Sequence, residues 1–188
     1  MRNLKTIALA LFLSIGMMAT AQEKKIDVNK SSVKWVGKKF SGEHSGTLNF
    51  NDGTLLFKKG KLTGGNFTVD MTSLTVTDLE AGKGKEKLEG HLKNDDFFAT
   101  DKFKTANLAF KTIAAKANNV YTVTADLTIK GITKPVTFDM TVKGNTATAD
   151  LKIDRSKYDI QYKSKSFFDN LGDNFIYDEF DVMVTLSF

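Results

Sequence analysis

The sequence predicts an all-β fold: an antiparallel barrel of about eight strands with one short helix and one long apolar loop. Apolar and polar residues alternate with a period of two over long stretches, and Gly, Asn and Asp cluster between them as turn signals. Stretches of about ten residues extend to about 33 Å, which is typical of barrel strands. A closed barrel also removes the free edges that so many hairpins would otherwise expose.

Residues 1–21 are predicted to be a secretory signal that is not part of the fold. Two basic residues precede an apolar run from Ile7 to Met18, and Ala19-Thr20-Ala21 has the small-x-small pattern of a signal peptidase site. The run is shorter than the roughly 20 residues that span a bilayer, which disfavours a membrane anchor. We therefore expect cleavage between Ala21 and Gln22, a mature domain over residues 22–188, and a periplasmic or secreted protein.

Short alternating stretches predict four strands in the first half of the mature chain. Their apolar positions are Val33 and Trp35, Leu48 and Phe50, Leu55 and Phe57, and Phe67, Val69 and Met71. The turn signals that punctuate these strands are Asn51-Asp52-Gly53, Lys59-Gly60 and Gly64-Gly65.

One helix is expected between Ala81 and Lys93. Leu88, His91 and Leu92 share a face there at spacings of three and four residues. Three glycines within the segment lower its helix propensity, so the helix is expected to be weak in isolation.

Three consecutive strands are predicted next, and they form a meander. The first runs from Tyr121 to Ile129, the second from Val136 to Val142 and the third from Ala147 to Ile153, each with apolar residues at alternate positions. The chain turns between Lys130 and Pro135, and Gly144-Asn145 is a two-residue hairpin signal.

The region from Tyr158 to Asp178 is rich in apolar and aromatic residues but has no clean period. We expect a long loop there that packs over one end of the barrel. A closing strand runs from Phe180 to Phe188.

Alternation does not tell which face of a strand lies inside. A water-soluble barrel has its apolar face inward and a membrane barrel has it outward, with the same period. The terminal aromatic Phe188 is typical of outer-membrane barrels, although no aromatic girdles are evident at the strand ends. An outer-membrane barrel therefore remains an alternative to the soluble one.

Composition excludes several classes of site. The chain has no Cys, which excludes disulfides, thiolate zinc sites and cysteine nucleophiles, and its 2 His exclude a three-histidine metal site. The net charge is +5, but Lys alternates with Asp and Glu rather than forming a basic patch. We therefore expect no nucleic-acid partner.

No catalytic or metal site is predicted. Gly42 to Gly46 resembles a nucleophile elbow, but His44 stands where that motif requires Ser. Asp95 and Asp96 fit a turn after the helix better than a catalytic carboxylate pair. The acidic residues between Asp169 and Glu179 do not have EF-hand spacing. We expect the protein not to be an enzyme and to need no cofactor.

Two segments resemble the signature motifs of the YceI-like family. The first is His91-Leu92-Lys93-Asn94-Asp95-Asp96-Phe97-Phe98, followed by Phe103 to Phe110, and the second runs from Asp126 to Phe138. Phe103-Lys104 stands where the family usually has Tyr-Pro, a departure within a connection. The resemblance implies an exported, extended lipocalin-like barrel that holds a polyisoprenoid or isoprenoid quinone in its lumen.

That implication, combined with the alternation, predicts a ligand-binding lumen lined by inward-facing apolar residues. The expected wall residues are Trp35, Phe50, Phe67, Val69, Phe110, Leu127, Ile129, Phe138, Met140, Val142 and Ile153. The expected rim residues are Phe97, Phe98, Phe167 and Phe168. His91 is expected to have a structural role or to contact a quinone head group. A packed core, in a structural or stress barrel without ligand, is the alternative for each of these residues.

The expected partner is therefore an isoprenoid lipid, for transport, storage or stress protection, without stable membrane insertion. A homodimer is left open.

Overall fold

The computed structural model describes residues 21–188, so nearly all of the predicted signal segment lies outside the described residues. The strands in this part of the chain are β1 (Gln22–Lys25), β2 (Ser32–Lys39), β3 (Gly42–Lys58), β4 (Lys61–Val76), β5 (Thr105–Ala115), β6 (Val120–Ile129), β7 (Ile132–Lys143), β8 (Thr146–Asp154) and β9 (Ile176–Ser187). One α-helix, α1 (Lys85–Lys93), lies between β4 and β5. Short 3-10 turns occur at Arg155–Tyr158 and Gly172–Asn174.

Eight of these strands close into an antiparallel barrel, which confirms the predicted architecture. Their order is β3-β2-β9-β8-β7-β6-β5-β4, and β4 pairs back with β3 to complete the cylinder. Strand β1 lies outside this ring and pairs with the second half of β3, where Gln22 faces Phe57. Closure leaves β1 as a short peripheral strand, so the barrel itself has no long free edge.

The apolar face of the strands points inward. In β6 the side chains of Tyr121, Val123, Ala125, Leu127 and Ile129 are all buried. The intervening residues face outward and form hydroxyl and carboxylate pairs with β7: Thr122–Asp139, Thr124–Thr137 and Thr128–Thr133. The outer surface of these two strands is therefore polar.

Two of the predicted turn signals lie within strands instead. Strand β3 continues through Asn51-Asp52-Gly53, and its pairing with β4 shifts register between Phe50 and Asp52. Gly64-Gly65 lies within β4 next to another register shift. A β-bulge takes up residues that would otherwise form a turn, so the two strands predicted on either side of Asn51 are one.

The predicted hairpins at Lys59-Gly60 and Lys130-Gly131 are two-residue turns. Both residues of each pair have positive φ, 51° and 75° in the first and 50° and 73° in the second. This backbone matches the twist of the flanking strands, and Gly adopts it at little cost. The second turn is shorter than predicted, because β7 begins at Ile132 rather than after Pro135.

Helix α1 begins four residues after the predicted start. Gly82 and Gly84 have φ values of 74° and 102°, so the chain turns there and becomes helical only from Lys85. No helix among residues 21–188 is long and apolar enough to cross a membrane.

At the end of the barrel that α1 covers, a gap separates strands β7 and β8. Strands β7 and β8 pair only between Met140–Lys143 and Thr146–Ala149, so the first half of β7 and the second half of β8 are not paired with each other. The segment after β8 packs against β7 and β9 at this gap. Its residues Tyr158, Ile160 and Ser164 are fully buried.

Gly46 is expected to be essential for packing at the junction of β2, β3 and β4. A Cβ atom there would lie 1.9 Å from the Thr75 carbonyl oxygen and 2.5 Å from the Trp35 ring. Gly46→Ala should therefore lower the free energy of unfolding by about 3 kcal/mol. The matched control is Gly90→Ala, because a Cβ atom at Gly90 in α1 meets nothing within 4 Å.

The control should be neutral or raise stability by up to about 1 kcal/mol, since Ala is the better helix former. Urea unfolding of both variants measures the difference. Equal stability of the two would contradict this description of the junction.

Candidate functional site

The barrel has a packed end and a hollow end. At the packed end, near the β3–β4 hairpin, Leu55 and Val123 are completely buried, and Phe57 packs against Phe188 with 5.7 Å between ring centroids. At the other end a cavity of about 450 Å³ opens beneath α1 and the connection between β8 and β9. All eight barrel strands contribute side chains to its lining.

Most of the residues predicted for the ligand site line this cavity. They are Trp35, Phe50, Phe67, Val69, Phe97, Phe98, Leu127, Ile129, Phe138, Met140 and Ile153. Phe97 and Phe98 reach it from the segment after α1.

Four predicted residues lie outside the lining. Phe110 packs against the Gly65 position of β4, where the pairing of β4 with β5 has ended. Val142 lies opposite Ala147, toward the packed end of β7. Phe167 and Phe168 are 42% and 48% exposed on the outside of the β8–β9 connection.

Several lining residues were not among those predicted. The apolar ones in the strands are Val33, Leu48, Met71, Leu74, Ala106, Leu108, Ala149, Leu151, Ile176, Phe180, Val182, Val184 and Leu186. Most of them occupy alternate positions of predicted strands, so the alternation contained the signal that would have identified them. Leu74 follows the predicted part of β4 and could not be placed in this way.

Arg155 holds the β8–β9 connection over the cavity mouth. Its guanidinium is 3% exposed and donates hydrogen bonds to the carbonyl oxygens of Ile160 (2.8 Å), Tyr162 (3.0 Å), Ile176 (2.9 Å) and Tyr177 (3.1 Å). Nη2 also lies 3.2 Å from a carboxylate oxygen of Asp178. Burial lowers the pKa of Arg155, and the charge of Asp178 opposes this. Through these contacts Arg155 anchors the β8–β9 connection to the start of β9.

Aromatic side chains surround the same opening. Phe40, in the β2–β3 turn, packs against Phe175 at 5.9 Å, and Phe175 packs against Tyr177 at 4.9 Å. The Lys165 ammonium lies 3.5 Å from the centre of the Phe175 ring. Contacts between these two connections therefore define one side of the mouth.

His44 is the polar side chain that the β3 strand contributes to the cavity mouth. Its Nδ1 lies 2.8 Å from a carboxylate oxygen of Asp78, whose other oxygen accepts the Ser45 N–H at 2.9 Å. Burial opposes ionisation of Asp78, but the hydrogen bonds from Ser45 and His44 hold its pKa below its usual value. This carboxylate ties the start of β3 to the residues after β4.

The lowered pKa of Asp78 predicts a pH dependence. The ionised carboxylate contributes stability that is present above the unfolded-state pKa near 3.8 and is lost as the pH falls through the lower folded-state value. Asp78→Asn should therefore reduce the loss of stability below about pH 4 while changing its slope little above pH 6. Thermal unfolding between pH 2.5 and 7 measures this. An acid limb identical to that of the parent protein would contradict the assignment.

The lining of the cavity is mainly apolar. Within residues 21–188 there is no group of three or more His, Asp or Glu side chains arranged to hold a metal ion. Two of the charged groups that line the cavity are engaged in structure, Arg155 with backbone carbonyls and Lys38 with Asp181 at 2.7 Å. Pockets that are mainly apolar with a few polar groups at one end are typical of sites for small amphiphiles.

A family model described as the YceI-like domain matches residues 25–188. Among curated relatives, a UPF0312 protein of Shewanella denitrificans is 35% identical over 92 residues, 49% of this chain and 46% of that protein. A UPF0312 protein of Pseudomonas putida is 28% identical over 149 residues, 76% of this chain and 73% of that protein. The match thus spans less than half of the first relative and nearly three quarters of the second.

Solved structures share the fold. The crystal structure of BcnA from Burkholderia cenocepacia superposes with a TM-score of 0.68 at 24% identity, covering 86% of this chain and 98% of BcnA. A Campylobacter jejuni YCEI protein has a TM-score of 0.50 at 16% identity, covering 100% and 89% of the two chains. At these identities the likeness concerns the barrel fold itself.

Proposed function

Because this chain belongs to the YceI-like family, we propose that it is a binding protein that holds the hydrocarbon chain of an isoprenoid lipid, a polyprenyl compound or isoprenoid quinone, in its barrel cavity. The observation that carries the proposal is the apolar cavity of about 450 Å³ at one end of an otherwise packed barrel. This volume lies within the ~300–1,000 Å³ range of pockets that enclose small ligands.

The driving force for such binding is the removal of hydrocarbon from water. Each buried CH₂ group contributes about 0.8 kcal/mol, so a few isoprene units offset the entropy cost of association. Phe50, Phe67 and Phe138 line the cavity with apolar aromatic rings, against which a hydrocarbon chain can pack. Affinity should therefore rise with chain length until the chain fills the cavity.

Two alternatives are disfavoured: the outer surface argues against an outer-membrane barrel, and the cavity argues against a structural barrel without ligand. A membrane barrel needs an apolar outer belt, whereas the outer faces of β6 and β7 carry Thr122, Thr124, Thr128 and Asp139 in polar pairs. A ligand-free structural barrel needs no cavity, and its interior would be expected to pack throughout. We propose that the protein acts after export and has no enzymatic activity, with transport, storage and stress protection as its possible roles.

A titration of lipid-stripped protein tests the proposal. Farnesol, geranylgeraniol and a decaprenol are added to the folded protein, and binding is followed by native mass spectrometry. We expect one bound molecule per chain, with tighter binding of the C20 than of the C15 alcohol by about tenfold or more. Failure of all three to bind would overturn the proposal and favour the structural barrel.

A further inference from the structure

Two side chains of the cavity wall carry a buried polar atom without a hydrogen-bond partner in the described residues 21–188. These atoms are Trp35 Nε1 and His91 Nε2. The Trp35 side chain is more than nine-tenths buried, with 8% exposure. An unpaired buried N–H costs about 1–3 kcal/mol, and native proteins pair the great majority of such groups. Two such atoms in one cavity therefore point to a partner that binds there.

Helix α1 brings the two side chains to the same side of the cavity. Trp35 lies in β2 and packs with Leu74 and Val76, and Leu88 and Leu92 of α1 pack on this cluster. His91 lies between those two leucines in sequence, with its ring 5.1 Å from Phe97 and 4.4 Å from Tyr162, measured between centroids. Both unpaired atoms therefore belong to side chains at the α1 end of the cavity, one in α1 and one packed against it.

Three other polar side chains of the lining contrast with this pair. His44 is hydrogen-bonded to Asp78, Lys38 is bonded to Asp181, and Arg155 donates to four carbonyl oxygens. These groups are satisfied by the protein itself. Two further buried polar atoms without a hydrogen-bond partner, Tyr158 Oη and Asp178 Oδ1, lie outside the cavity lining, so within the described residues only Trp35 and His91 present such an atom in a cavity-lining side chain.

The chemistry of the two groups defines what they can bind. An indole N–H only donates a hydrogen bond, and a neutral imidazole nitrogen donates or accepts according to its tautomer. Together they suit an oxygen atom that accepts from Trp35 and exchanges a second hydrogen bond with His91. A hydrocarbon end would leave both atoms unpaired, and sites built to bond an oxygen discriminate against analogues that lack it.

We propose that Trp35 Nε1 and His91 Nε2 bind an oxygen of the ligand's head group, so that the cavity selects amphiphiles ending in a carbonyl or hydroxyl over hydrocarbons of the same skeleton. The proposal rests on the proposed function, because it requires that a lipid chain occupies the cavity. It adds the position of the head group, beneath α1, and the two residues that determine specificity.

Trp35 provides a direct signal for this hydrogen bond. It is the single Trp of the sequence, so the protein has one indole N–H cross-peak in a ¹H–¹⁵N NMR spectrum. The probes are phytone, an isoprenoid methyl ketone, and norpristane, the hydrocarbon with the same carbon skeleton. We expect phytone to move the indole proton downfield and to bind about tenfold more tightly than norpristane, and norpristane to leave the proton near its unliganded position.

Variants separate hydrogen bonding from packing. Trp35→Phe and His91→Phe should each reduce the preference for phytone by about threefold or more, chiefly by weakening phytone binding. Phe50→Leu changes the wall without removing a polar atom, so it should weaken both ligands alike and preserve the ratio. This control shows whether the ratio reports the polar atoms or the cavity volume.

The outcomes distinguish the two proposals. Equal affinities for phytone and norpristane, with an unmoved indole proton, would overturn the head-group assignment and leave the lipid cavity intact. Failure of both probes to bind would overturn both proposals. Retention of the full preference by Trp35→Phe and His91→Phe would also overturn the assignment.

Discussion

Ala149→Phe is expected to abolish or severely weaken lipid binding while the barrel still folds. Ala149 is buried in β8, and its side chain lines the cavity. The larger Phe side chain can extend into the cavity. It should therefore displace ligand rather than distort the backbone. Losing room for about three CH₂ groups at 0.8 kcal/mol each weakens binding about 50-fold.

Val142→Trp is the matched control for this substitution. Val142 lies in the neighbouring strand β7 and also alternates with polar residues, but it faces Ala147 near the packed end and does not line the cavity. It should change affinity by less than about threefold even if it costs some stability. The titration with geranylgeraniol measures both variants, and circular dichroism verifies their folding. Equal affinity of Ala149→Phe and the parent protein would place the ligand outside the cavity.

Arg155→Met is expected to have the largest effect on stability, about 3–5 kcal/mol in the free energy of unfolding. Met replaces the aliphatic stem of the Arg155 side chain. The substitution removes the donors for four carbonyl oxygens and the partner of Asp178. Buried acceptors that lose their donors retain the full cost of desolvation. We expect the β8–β9 connection to loosen first, since all four carbonyls belong to it or to the start of β9.

Lys157→Met is the control for the loss of a positive charge in the same segment. The Lys157 side chain is 63% exposed and is 3.8 Å from Asp154, so its removal should change stability by less than about 1 kcal/mol. Urea unfolding gives the two free energies, and hydrogen exchange of residues 156–176 shows where protection is lost. A loss in Arg155→Met no greater than in Lys157→Met would refute the anchoring role.

The alternation of residues predicted which side of each strand faces inward but not how far along the barrel a residue lies. Phe138 and Val142 share a face of β7, yet the first lines the cavity and the second lies toward the packed end. The position of a residue along the barrel axis depends on strand tilt and stagger, which are set by pairing between distant segments. Most of the predicted wall residues therefore line the cavity, whereas the others lie elsewhere along the barrel axis.

Three other features could not be predicted from local signals. The Asn51-Asp52-Gly53 segment has the composition of a turn, and only its pairing with β4 makes it a bulge. The separation of β7 from β8 likewise follows from where the cross-strand hydrogen bonds end. Burial of Arg155 also depends on tertiary contacts, because its hydrogen-bond acceptors lie 5 to 22 residues further along the chain.

The most direct test of the lipid-binding account is mass spectrometry of the organic extract from protein that has been exported by a bacterial host and purified without detergent. We expect a polyprenyl or isoprenoid-quinone species at close to one molecule per chain, and its absence from identically prepared Ala149→Phe. An extract without such lipid from folded parent protein, or equal lipid in the two preparations, would contradict the claim that the cavity holds an isoprenoid chain.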